Sequence, residues 1–257
     1  METNPAPWID ALRNSSDRLR KLAAPLGPDQ LQQPSYASEW SIAQVLSHIG
    51  SQAEIFGLFL DASLSGQDPP GQDVFPAIWA TWDAKSPADQ AADALRGDAT
   101  VTERFVALDD EQRGRLRLSA FGMDLDVTGL ARLRLSEHAL HTWDIAVALD
   151  PAATLAPDAV ALLIDTVGQF VGRAGQPGGV QRRLHVSTSS PVRHFTLETG
   201  DTVSLVPAEY RPGLPELGLP AEAFIRLLYG RLDPAHTPAV ETQRVDLDDL
   251  RQVFPGV

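Results

Sequence analysis

The sequence predicts two parts of different class, α plus α+β: a four-helix bundle over residues 1–150 and a smaller α+β domain over residues 151–257. Three observations carry the division into helical and mixed parts. The first part repeats apolar residues at helical spacing, the second alternates β-branched with polar residues, and "LDPAATLAPD" (149–158) separates them with two prolines and several small residues. A chain of 257 residues has the length of two domains or one large one, and 43% hydrophobic with 21% charged residues is a globular composition.

The elements follow in order. Residues 6–25 read as a first helix, with Trp8, Leu12, Leu19, Leu22 and Ala23 near helical spacing and Pro25, Gly27 and Pro28 ending it. A second is expected in "SEWSIAQVLSHIGSQAEIFGLFL": Ser41 and Gln44 form a capping-box pair, and Ile42, Val45, Ile49, Ala53, Phe56 and Leu60 form an apolar stripe. A third is expected within 75–95, broken at Ser86-Pro87, and a short fourth around 100–108. "RLRLSAFGMDLDVTGL" alternates briefly, a β-excursion before a long helix over about 128–149. Beyond the linker, "PDAVALLIDTVGQFVGRAG" reads as one helix, "RRLHVSTSS" and "HFTLETGDTVSLV" as strands with a hairpin at "ETGD", and "LPAEAFIRLLYGRL" and "DLDDLRQVF" as helices.

Charge excludes some partners. Lys and Arg number 12 against 22 Asp and Glu in residues 1–150, and 9 against 12 in 151–257. Two acidic halves, with Arg20-Lys21 and Arg182-Arg183 as the adjacent basic pairs, argue against nucleic acid and anionic membrane surfaces. With no secretory pattern at the N-terminus and no long apolar run, the expected compartment is the cytoplasm. There is no cysteine, so any thiol chemistry requires a thiol from outside the chain.

The chemistry concentrates in "RLSEHALHTWDIAVAL", Arg134 to Leu149. Glu137 and His141 stand at i and i+4 and share a helix face. Leu133, Leu140, Asp144, Val147 and Ala148 flank that stripe, so the pair is expected to face the bundle core, with His138 turned elsewhere, either outward or behind the ligand side chains. His48, among Val45, Gln52 and Ile55 on the second helix, supplies a third ligand-type side chain, and facing helices of a bundle can bring three together. Two histidines and a glutamate suit a divalent ion with an open position. Zinc is the first expectation, although nickel and iron accept the same donors. Asp144 either orients a ligand from behind or caps and pairs at the surface.

"EWSIAQVLSHI", followed some ninety residues later by "EHALHTWDIAVAL", resembles the mycothiol-dependent maleylpyruvate isomerase family of the DinB-like metalloenzyme superfamily. The second half, with its strands and "LPAEAFIRLLYGRLD", looks like that family's smaller C-terminal domain, similar to sterol-carrier-protein-like folds. The resemblance implies a metal held by His48, Glu137 and His141, most simply zinc, whose open position binds the thiolate of mycothiol or an analogue. The thiol then adds to an activated double bond, permits rotation and leaves, or remains on an electrophilic product. It also implies an arginine of the C-terminal domain for an anionic substrate, Arg231 of "YGR" first, with Arg226 and Arg193 as alternatives. The expected partners are a small electrophile and the thiol, with the protein a monomer or homodimer. A metal-dependent hydrolase and a non-catalytic binding protein for a small ligand are the rival readings.

Overall fold

A computed structural model describes residues 4–37, 39–178, 181–210 and 212–256. The chain divides into two units, Met1–Ala153 and Thr154–Val257. The fold class is the expected one, a helical first part and a second part built on a sheet.

In the first unit α1 spans Ala6–Ala23, with a proline in its opening turn, and α2 is the single turn Pro28–Leu31. α3, Ile42–Ser65, begins with the predicted capping box: Gln44 N donates to Ser41 Oγ at 3.3 Å, and Ser41 N donates to Gln44 Oε1 at 2.9 Å. It ends at Gly66, whose φ of +68° suits glycine because no Cβ meets the carbonyl there. α4 is Phe75–Asp83 and α5 is Pro87–Ala107, capped by Ser86. The break at Ser86-Pro87 is as expected, but the separate fourth helix is not. α5 runs on through Thr100, because the interior Gly97 costs only about 1 kcal/mol relative to alanine, too little to end a helix packed on α3.

α6, Asp110–Arg115, leads into the predicted β-excursion, an antiparallel hairpin of β1 (Arg117–Ala120) and β2 (Met123–Asp126). Asp126 then caps α7, Val127–Leu149, accepting from Gly129 N at 2.7 Å. α1 packs on α5 and α7, and α3 packs on the same two, which closes a four-helix bundle. Ile9, Leu12, Phe56, Phe59, Phe105 and Leu130 fill one end of its core; Leu19, Ile42, Leu46, Ile49 and Ile145 fill the other.

In the second unit the expected single helix is two, α8 (Pro157–Leu163) and α9 (Gly168–Ala174). Thr166 turns both its N–H and its hydroxyl onto the Leu163 carbonyl, at 2.8 and 2.9 Å, which replaces the helical ladder with a local turn. The sheet has strands β3 (Arg182–Ser189), β4 (Arg193–Thr199), β5 (Ser204–Pro207), β6 (Glu216–Pro220) and β7 (Glu241–Gln243), in the order β5-β4-β3-β6-β7. β3 and β6 are parallel and the other pairs antiparallel. β6 and β7 were not expected: β6 carries Gly218 and Pro220, residues that argue against a strand, and β7 is three exposed residues. α10 (Ala221–Leu228) follows β6 and packs on it and on β3, and α11 (Leu247–Val253) closes the chain.

Candidate metal centre

α3 and α7 pack against each other, and each brings ligand-type side chains to one point. Ligand atoms of His48, Glu137 and His141 all lie within 4.8 Å of one another, a convergence of three residues separated by up to ninety-three positions. His48 Nε2 stands 3.7 Å from Glu137 Oε2, and His141 Nε2 stands 3.6 Å from the same oxygen. The two imidazoles meet edge to face, with centroids 4.5 Å apart. Metal–ligand bonds of about 2.0–2.2 Å at tetrahedral angles place donors about 3.4 Å apart, so three atoms at these separations fit one ion with small adjustments. The Glu137 side chain is 40% exposed, which leaves this cluster open to a ligand from solvent.

Two of the three side chains are shifted toward the protonation state an ion requires, Glu137 toward carboxylate and His48 toward neutral imidazole, whereas His141 is drawn toward imidazolium and would give up its Nε2 proton to an ion. Burial pushes the Glu137 carboxyl up, but hydrogen bonds from His141 and His48 reverse this and hold it well below the usual carboxylate range. Burial pushes His48 down, toward the neutral imidazole whose lone pair can bind a cation. Burial pushes His141 down as well, and there the carboxylates of Asp144 and Glu137 prevail and raise it. The buried Asp144 carboxylate lies 2.9 Å from His141 Nδ1, which keeps a proton on that nitrogen and turns Nε2 toward Glu137. Of the two readings for Asp144, orientation from behind is the one this geometry fits. Trp40 lies over the pair, its ring 5.2 Å from that of His48 and 6.3 Å from that of His141.

His138 corrects the sequence reading. It is fully buried, with Nδ1 2.8 Å from Ser15 Oγ and Nε2 3.1 Å from Asp98 Oδ2, whereas Glu137 and His141 sit nearer the rim. His138 points inward as well because α7 is buried around most of its circumference, so its apolar residues mark no single inward stripe, while Glu137 and His141 face His48 of α3 as expected. Asp98 also pairs with the fully buried Arg134 at 2.7 Å, and Arg134 donates to the Ile49 carbonyl at 3.2 Å and to Gln52 Oε1 at 3.4 Å. Gln52, Arg134 and Asp98 were missed as site residues. The available signals were Gln52 at i+4 from His48, and an arginine and histidine four apart on an apolar helix.

The arginines of the second unit differ in their engagements. Arg226 is buried and bidentate to Glu222, with two further bonds to the carbonyls of Arg231 and His236. Arg193 is bidentate to Asp165. Arg231 is half-buried and donates to the Tyr229 carbonyl at 3.0 Å.

Residues 12–146 match the family described as the mycothiol maleylpyruvate isomerase N-terminal domain. The chain belongs to that family. The family resemblance drawn from the sequence motifs is therefore correct. Among solved structures, the crystal structure of the mycothiol-dependent maleylpyruvate isomerase matches with a TM-score of 0.66 at 13% identity, over 89% of this chain and 90% of that one. A histidine-to-alanine mutant of that isomerase matches equally well at 12% identity, over the same shares. At such identities the likeness is one of fold, and it spans both units. A third structure, YfiT from Bacillus subtilis, described as a probable metal-dependent hydrolase, matches 58% of this chain and 89% of its own at 18% identity, with a TM-score of 0.46. No protein of curated function matches the chain by sequence. Among the described residues, no helix is long and apolar enough to cross a membrane.

Proposed function

We propose that this member of the maleylpyruvate isomerase family uses a low-molecular-weight thiol, mycothiol or an analogue, to isomerise a small electrophile or to add its sulfur to one, at a divalent metal held by His48, Glu137 and His141. The observation that carries the reading is the convergence of those three donors, two imidazoles and a carboxylate, from two helices onto one partly open point. A divalent ion there, zinc first, supplies Lewis acidity that favours a bound thiolate over the thiol at neutral pH.

The chain's own residues set up that chemistry. Asp144 keeps the proton on His141 Nδ1 so that Nε2 is a donor to the ion, and the ionised Glu137 places a negative charge beside both imidazoles. Trp40 covers one side of the histidine pair and limits water there. In isomerisation the sulfur bonds to one carbon of an activated double bond, the resulting single bond rotates, and the same thiolate departs, so atoms and electrons balance without a redox partner. Arg231 is our choice for the cation that binds an anionic substrate group, on the resemblance of its "YGR" segment to the family's C-terminal domain.

Turnover of maleylpyruvate and of a panel of electrophiles, measured with and without mycothiol, tests the reading. It predicts turnover that requires both thiol and metal, and a raised KM for an anionic substrate in Arg231→Ala at unchanged metal content. Metal-dependent turnover of an ester or amide without any thiol would replace it with a hydrolase.

A further inference from the structure

Gln52 lies one turn beyond His48 on α3, and its side-chain nitrogen touches two of the three donors at once. Nε2 is 2.8 Å from Glu137 Oε2, to which it donates, and 2.8 Å from His48 Nε2. The amide is not free to flip, since Arg134 Nη1 donates to its Oε1 at 3.4 Å and only the oxygen can accept. Arg134 is itself fixed by Asp98 Oδ1 at 2.7 Å and by the Ile49 carbonyl at 3.2 Å. Asp98 reaches His138, and His138 reaches Ser15 on α1, so one polar chain runs from α1 through α5 and α7 to α3. Arg134, Asp98 and His138 are all buried. Apolar side chains would fill that space without the desolvation penalty of buried charge, which is of the order of several kcal/mol per ion. The chain meets the donor atoms at Gln52.

We infer that Gln52 is a positioning residue of the metal centre: Arg134 holds its amide so that Nε2–H fixes Glu137 Oε2, leaving that oxygen's second lone pair turned toward His48 and His141. This rests on the metal-centre reading above. A carboxylate oxygen accepts twice, so Glu137 Oε2 can serve Gln52 and an ion together. His48 Nε2 has one lone pair and cannot, so on metal loading the amide keeps its bond to Glu137 and gives up its contact with His48.

The test is metal affinity, by competition between the full-length chain and a chromophoric chelator for zinc alone, and the visible absorption of the cobalt-loaded protein. Gln52→Met preserves length and removes the N–H, and Gln52→Asn retains an amide too short to bridge Arg134 and Glu137. Both are expected to bind one ion with affinity lowered by about 10–100-fold, with a shifted cobalt spectrum and a thermal midpoint close to the parent. Two variants provide a readout even if one of them folds poorly. Wild-type affinity and spectrum in whichever variants fold overturn the role of Gln52 while leaving the three-donor site in place. Absence of metal binding by the parent chain overturns the site itself, and this inference with it.

Discussion

Replacing Arg134 by methionine removes one partner of an ion pair whose side chains are 0% and 2% exposed and whose charged atoms are 2.7 Å apart. Without the guanidinium the buried Asp98 carboxylate loses its charged hydrogen-bond donor at 2.7 Å and keeps only His138 and the Ser16 hydroxyl among the partners described. Breaking a buried pair on one side costs about 3–5 kcal/mol. In a unit of this size each kcal/mol moves the midpoint by about 2–4 °C, giving an expected fall of about 6–20 °C. All five tryptophans lie at or before position 143, so intrinsic fluorescence during urea unfolding reports on the bundle. Arg134→Met with Asp98→Leu removes both charges, and the double variant should be more stable than the sum of the single losses by about 1–3 kcal/mol. Strict additivity, or a loss under about 1 kcal/mol in Arg134→Met, would refute the reasoning that these charges depend on one another.

Three further outcomes follow from the same structure. Asp144→Asn cannot accept the His141 Nδ1 proton as a carboxylate does, and its zinc affinity, measured by chelator competition, should fall by about 10–100-fold with the helices intact by circular dichroism. Burial pushes Asp98 up, but the charge of His138 and its hydrogen bond, then Arg134, hold it well below the ordinary carboxylate range; a lowered folded pKa gives stability that is present above about pH 4 and lost as pH falls further, so the acid limb of urea unfolding should flatten in Asp98→Asn. A Cβ at Gly50 would lie 2.2 Å from the Trp82 ring, which is held by its bond to Glu54 at 2.8 Å, so Gly50→Ala should cost about 1–3 kcal/mol in the same unfolding assay and a neutral effect would count against that packing.

Much of the fold was legible because local signals were strong where elements begin. Ser41 and Gln44 marked the start of α3, and Ser86-Pro87 marked the break before α5. The donor set was legible in part, as Glu137 and His141 share a turn and His48 is a histidine on an apolar helix. The depth of His138 was not, because a helix buried on nearly every side carries no amphipathic stripe, and of its two expected placements the outward one is excluded. Gln52 and Asp98 were hidden for another reason: each acquires its meaning from a partner 85 or 36 positions away, a pairing that only tertiary packing creates. Likewise β6 gains its identity from pairing with β3, against the local preferences of Gly218 and Pro220.

The most direct measurement is elemental analysis of the purified chain beside His48→Ala and His141→Ala, followed by calorimetric titration of each with mycothiol. The account predicts about one divalent ion per chain in the parent, loss of the ion in both variants, and loss of thiol binding with it. Metal retained in both variants, or thiol bound equally well without the ion, would contradict it.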